Sequence, residues 1–178
     1  QALDAKEVSA FLELVAGGEQ TKAQALLEKT PALLLCPGDV TDGAGRAFKQ
    51  ITGLQYAVWA LDAHMWTMML PYFDRQDARD AVASQLTMLE EKGTAHGHHF
   101  DFSPLLTAYQ VLIDNYQPWS WGQVYTHWRQ VIGAAQRLLP DHVVQEYTTP
   151  DRPFAPCPDF CVGSGRPGPH ARRGVQWW

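Results

Sequence analysis

The chain has 178 residues, with 14 basic and 19 acidic side chains and a net charge of −5 at neutral pH. That length suits one domain with one sizeable core, and 46% apolar against 19% charged residues is a globular composition. The acidic balance excludes a nucleic-acid partner, and no apolar run approaches the ~20 residues of a membrane span.

Val8, Phe11, Leu12 and Val15 recur at helical spacing until Gly17-Gly18, which predicts a first helix. A second runs from Thr21 to Lys29 and stops at Thr30-Pro31, because the residue before proline avoids the α region. The turn-rich stretch from Pro37 to Arg46 reads as a loop. Thr52 is a good N-cap for a helix from Leu54 to Ala60, and a turn near Leu61-Asp62 leads to another from His64 to Tyr72. The next is predicted from Gln76 to Lys92, with Gly93 as its C-terminal stop. Ser103-Pro104 starts a helix with Leu105, Tyr109, Leu112 and Tyr116 on one face. Ser120 caps a long one whose Trp121, Val124, Tyr125, Trp128, Val131, Ile132, Ala135, Leu138 and Leu139 predict a broad buried stripe up to Pro140. Asp141 caps a last turn or two through Tyr147. Then Pro150, Pro153, Pro156 and Pro158 predict an extended run. No segment sustains a period-two alternation, so the predicted fold is all-α.

The predicted organisation is a single helical domain over residues 1–161. It comprises helix pairs at 8–73, a helical cap at 76–147 and an extended segment at 148–161. A flexible basic Gly/Pro tail follows at 162–178. The tail carries Arg166, Arg172 and Arg173 and no acid, which leaves residues 1–161 at a net charge of −8. Cys36, Cys157 and Cys161 make an odd count that fits no disulfide framework, so reduced thiols in a cytoplasmic protein are expected.

Two stretches share one design: Phe11 to Leu27, and Leu54 to Leu70, each a helix, a turn and a second helix ending in apolar residues. Between them, Asp39 to Arg46 resembles the hairpin finger of ankyrin repeats. Thr52-Gly-Leu-Gln-Tyr-Ala57 resembles the Thr-Pro-Leu-His-x-Ala opening of an ankyrin helix. Gly53 stands in place of the proline, Gln55 in place of the histidine, and Ala47 to Gln50 lengthen the finger. The resemblance covers about Val8 to Phe73. The stretch from Gly97 to Gln110, with Asp114-Asn-Tyr116 and Pro150 to Phe154, is also similar to ankyrin-like effector candidates of intracellular bacteria with type IV secretion. The resemblance implies a protein–protein interaction module secreted into a host cell. It would meet a partner protein through Asp39, Asp42, Arg46, Gln55, Trp59 and Asp62, with exposed aromatics as anchors.

A competing chemistry lies in His96-Gly-His98-His99-Phe-Asp101, where imidazoles and a carboxylate are good zinc ligands. A small zinc enzyme would use His96, His98, His99 and Asp101, with His64 as an outside ligand. Against it, the helical pairing of two histidines at i and i+4 with an acid between them is missing. The plainer expectation has Asp101 or Ser103 capping the next helix while the histidines satisfy loop carbonyls. Cys36 has no neighbouring base and reads as a structural thiol, and Gly43-Ala-Gly45 lacks the lysine of a phosphate loop.

Overall fold

The Asp4 carboxylate accepts from the Lys6 N–H at 3.1 Å and so caps α1 (Ala5–Ala16). This helix buries the stripe expected of it, Val8, Phe11, Leu12 and Val15. Gly18, at φ 68°, turns the chain into α2 (Gln20–Lys29), which packs on α1. A 3₁₀ turn, Pro31–Leu35, buries Leu33 and Leu34. The computed structural model describes residues 4–75 and 78–148, apart from the side chains of Arg75, Tyr147 and Thr148.

The loop expected next is a β-hairpin. Strands β1 (Gly38–Thr41) and β2 (Ala47–Ile51) pair antiparallel, with Val40 opposite Phe48 and Thr41 opposite Ala47. The fold is predominantly α-helical, as expected, and carries one two-stranded hairpin besides. Each strand has five residues or fewer, and only Val40, Phe48 and Ile51 point inward, too few to register as an alternation. Ala47 to Gln50, expected to lengthen the finger, belong to β2.

Thr52 and Gln55 form a full capping box on α3 (Gly53–Trp59): Thr52 N–H donates to Gln55 Oε1 at 3.1 Å, and Gln55 N–H to Thr52 Oγ1 at 3.3 Å. Gly53 has a packing reason: a Cβ there would stand 2.6 Å from Phe11 Cε1, so α1 and α3 approach at this point. α4 (Ala63–Arg75) continues past its expected end and carries Pro71 within it. α1 lies against α3 and α2 against α4, so the two helix pairs sit side by side.

α5 (Arg79–Lys92) starts after the expected Gln76 and is bolted to α3 by a buried amide. Gln85 accepts from Thr52 Oγ1 at 2.6 Å, donates to Leu34 O at 3.0 Å, and its own carbonyl takes the Gln55 amide at 3.0 Å. One continuous core joins α1–α5 and the hairpin, and Phe100 and Leu139 also belong to it.

A second core is small. α6 (Ser103–Asn115) faces a rod made of α7 (Trp121–His127), a π turn at Trp128–Ile132 and α8 (Gly133–Gln136). Its buried members are Ala108, Leu112, Val124 and Ile132. The broad stripe expected on this rod is corrected: Trp121 is 75% exposed, and Tyr125, Val131 and Leu138 also face solvent. A single facing helix covers only part of the apolar arc. α9 (Asp141–Thr148) then returns to the first core through Val143.

The chain divides into two compact units, Gln1–Gln145 and Glu146–Trp178, and the packing above, through Gln145 of α9, is that of the first. Beyond Thr148, the expected extended segment and basic tail, with Cys157 and Cys161, lie outside the described residues. Among the described residues no helix is long and apolar enough to cross a membrane.

Candidate functional site

The hairpin turn is built around Asp42. Its Oδ1 accepts the backbone N–H groups of Ala44 (3.1 Å) and Arg46 (2.9 Å), which fixes the turn from within. Its Oδ2 receives Arg46 Nε at 2.7 Å and faces Nη2 at 2.6 Å. The Asp42 side chain is wholly buried and that of Arg46 is 15% exposed, so the pair sits in a dry setting. The Arg46 guanidinium lies between two rings, 5.0 Å from the Trp59 centroid and 5.1 Å from that of Phe100. Its Nη1 donates to Leu138 O at 2.6 Å.

Further groups close over this centre. Asp141, at the start of α9, accepts the Gly43 N–H, and burial followed by the Asp42 charge pushes its carboxyl above the ordinary range. A Cβ at Gly43 would overlap that carboxylate. Burial, then Asp42, raises the Tyr56 phenol well above its usual value. His96 Nε2 donates to Ala47 O at 3.0 Å and turns its ring edge to Phe48. This network has charge, stacking and hydrogen bonds but no nucleophile paired with a base. Its chemistry is to hold the finger rigid.

Of the six residues expected to meet a partner, the fold brings Asp42, Arg46 and Trp59 into direct contact, but inside the molecule. Trp59 is 1% exposed, so the expectation of a surface aromatic anchor there is corrected. Gln55 is buried in the amide bolt on Gln85. Asp62 is also buried; it caps α4 through Met65 N–H at 3.0 Å and lies 3.9 Å from His142 Nδ1. Asp39 alone of the six is exposed. It pairs with Lys49 at 2.8 Å and accepts the Gln50 N–H at 3.0 Å. These two hydrogen bonds hold its carboxyl below the usual range.

The zinc expectation is likewise corrected. His96, His98 and His99 each bond a different carbonyl, those of Ala47, Leu89 and Phe100. Asp101 accepts the Ser103 N–H at 2.8 Å at the start of α6. A tight turn joining Thr94 and Gly97, with Gly97 at φ 91°, splays the imidazoles. Among the described residues no three His, Cys, Asp or Glu side chains could hold a metal ion together. The Cys36 thiol donates to Ala32 O at 3.5 Å, as a structural cysteine does.

Sequence reasoning missed Phe100, Asp141 and Gln85 as parts of these networks. Phe100 has no expected role in the sequence, and Asp141 is expected only as a cap. Gly43 was the local sign that something approaches the turn, since a side chain there would meet Asp141.

A family model described as CBUA0006 C-terminal domain matches residues 104–165. Its match starts one residue inside α6, where the second core begins. The chain is also 36% identical, over 182 aligned positions, to Uncharacterized protein CBUA0006 of Coxiella burnetii (strain RSA 493 / Nine Mile phase I). No solved structure matches it. That alignment covers 89% of this chain and 53% of the Coxiella protein, so the chain is similar over most of its length to about half of that relative.

Proposed function

We propose that the chain is a protein–protein interaction module that meets its partner through the outward edge of the finger hairpin. The observation that carries this is the Asp39–Lys49–Gln50 group. Gln50 is held at φ 49°, a left-handed conformation unusual for a residue with a Cβ, and Asp39 holds it there by accepting its N–H. The strand bulges between Gly38 and Val40 at the same point. Strain and a bulge on an exposed edge aim Asp39, Lys49 and Gln50 outward, while the buried Asp42–Arg46 network keeps the edge from moving. An ankyrin-like reading agrees with this geometry, since a finger followed by a capped helix pair is how such repeats present a binding edge. The same reading extends the module to a secreted bacterial effector directed at a host protein, on the strength of the resemblance around Gly97 to Gln110.

A photo-crosslinking residue placed at Asp39 or Lys49 is expected to capture a discrete partner from host-cell extract. The same residue at Glu13, on the far side of α1, is expected to capture none. The Asp39→Lys/Lys49→Glu double variant should lose the captured species while keeping its helical circular dichroism. Equal capture at Glu13, or capture that survives the double reversal, would place recognition elsewhere.

A further inference from the structure

Among the described residues, an apolar face on the second helical layer is left uncovered. On α6, Leu106, Tyr109, Ile113 and Tyr116 follow the i, i+3, i+7, i+10 spacing of a helix–helix seam. On the opposing rod, Trp121, Tyr125 and Trp128 follow i, i+4, i+7. The two stripes belong to one surface, because the Tyr109 and Trp128 rings meet edge to face at 5.9 Å. Gln136 Nε2 also donates to Tyr109 Oη across the same junction, at 3.1 Å. Exposure along the stripes is high: Leu106 65%, Ile113 66%, Tyr116 55%, Trp121 75% and Tyr125 52%.

Among the described residues the face is poor in charge. Its cation, Arg129, is already stacked over the Tyr125 ring at 5.6 Å and bonded to the Tyr125 hydroxyl at 3.1 Å. Depletion of free charge at the centre of a patch, with aromatics and arginine present, is the composition of a protein–protein interface core. Taking ~150–250 Å² for a whole large side chain, these five residues leave on the order of 600 Å² open. A stable complex buries roughly 800 Å² per partner, so the face with its polar rim is of the right size.

We infer that a second copy of this chain covers the face, forming a homodimer through a four-helix bundle. The two stripes are unlike, since α6 exposes the aliphatic Leu106 and Ile113 while the rod exposes the aromatic Trp121 and Tyr125, and they run along antiparallel helices. A two-fold axis parallel to those helices lays the aliphatic stripe of each copy on the aromatic stripe of the other. Every contact is then made twice, as an isologous interface requires. The arrangement also gives the four-residue core of Ala108, Leu112, Val124 and Ile132 a second layer on its open flank.

Sedimentation equilibrium of the full chain at micromolar concentration tests this. The expected result is a mass of two chains. Ile113→Asp and Trp121→Asp should each weaken the dimer by tenfold or more, about 1.4 kcal/mol or more. Helical circular dichroism should stay unchanged, because both side chains are mostly exposed within one chain. Asp114→Lys, on the other flank of α6, should leave the mass at two chains. A monomeric wild-type chain, whether its face is open or closed by its own residues, would overturn the inference. So would a dimer that persists in the Ile113→Asp/Trp121→Asp double variant.

Discussion

At the scale of single residues, Arg46 shows how one side chain serves several needs. Its charge answers the buried Asp42, its flat surface fills the gap between Trp59 and Phe100, and its third nitrogen ties the finger to Leu138. Lysine could supply the charge but not the planar fork or the stacking. Removing one partner of a buried ion pair leaves an uncompensated charge, and that asymmetry decides the prediction. Arg46→Ala is expected to cost about 3–5 kcal/mol in urea denaturation, chiefly by stranding the Asp42 carboxylate. The Asp42→Asn/Arg46→Met double variant should lose less than Arg46→Ala alone, because it removes both charges and keeps apolar volume between the rings. A double variant as unstable as the single one would show that packing rather than charge sets the loss.

At the scale of elements, α9 is held by three turns of the first core at once. Asp141 caps over Gly43, His142 faces Asp62, and Gln145 Nε2 donates to Gly17 O. A Cβ at Gly18 would stand 3.0 Å from the His142 backbone, so this helix lies close against the α1–α2 turn. Asp141 and His142 respond to acid in opposite senses. Burial lowers the His142 imidazole below its ordinary 6.5, against the pull of Asp62 and Asp141 and with the help of His64. The fold therefore prefers the neutral ring. Stability from this group is whole above pH 6.5 and is lost as pH falls through the lowered value. Asp141, raised from 3.8, has its stabilising contribution whole below 3.8 and loses it as pH rises through the raised value. Urea midpoints taken at about pH 7 and about pH 5 should fall in the wild type and fall less in His142→Gln. A wild-type slope retained in His142→Gln would assign the pH response to another group.

The same elements show what a sequence makes legible. Caps and stops are local: Thr52 with Gln55, Ser120 with Gln123 and Gly93 each act within a few residues, and the helices they bound lie close to where expected. The hairpin was visible as a finger but not as strands, because inward side chains are few in so short a ladder. The Asp42–Arg46–Leu138 tie spans 92 residues, and no local pattern announces it. The histidine cluster misled for the converse reason: residues adjacent in sequence were splayed by a turn at Gly97. Asp42, Gln55, Trp59 and Asp62 lie buried although they were expected on a surface, since helical period alone does not say which flank of a finger or helix is buried.

At the scale of the whole molecule, two cores of unequal size share one chain. The first draws on α1–α5, the hairpin, Phe100 and Leu139, and the second on four buried residues between α6 and the α7–α8 rod. A unit with so few buried contacts should open below the free energy of global unfolding. The ties that bring it back lie at its two ends: Phe102 and Leu105 pack against the first core at the start of α6, and Arg46 to Leu138 O and Asp141 to Gly43 hold the end of the rod, so the far end of α6 and α7 are its least anchored parts. Native-state hydrogen exchange should therefore show α6 and α7 amides opening in a step separate from α1 and α3. Ile132→Ala, at a position with no exposed surface, should lower that step by about 2–4 kcal/mol while leaving α1 and α3 protection nearly unchanged. Leu27→Ala, equally buried in the first core, should lower both steps together, because α6 has no comparable core to stand on once the first is lost. If Ile132→Ala lowers protection in α1 by as much as in α6, the two cores unfold as one cooperative unit. The match of a C-terminal domain family from residue 104 onward would then mark a shared segment and not an independently opening one.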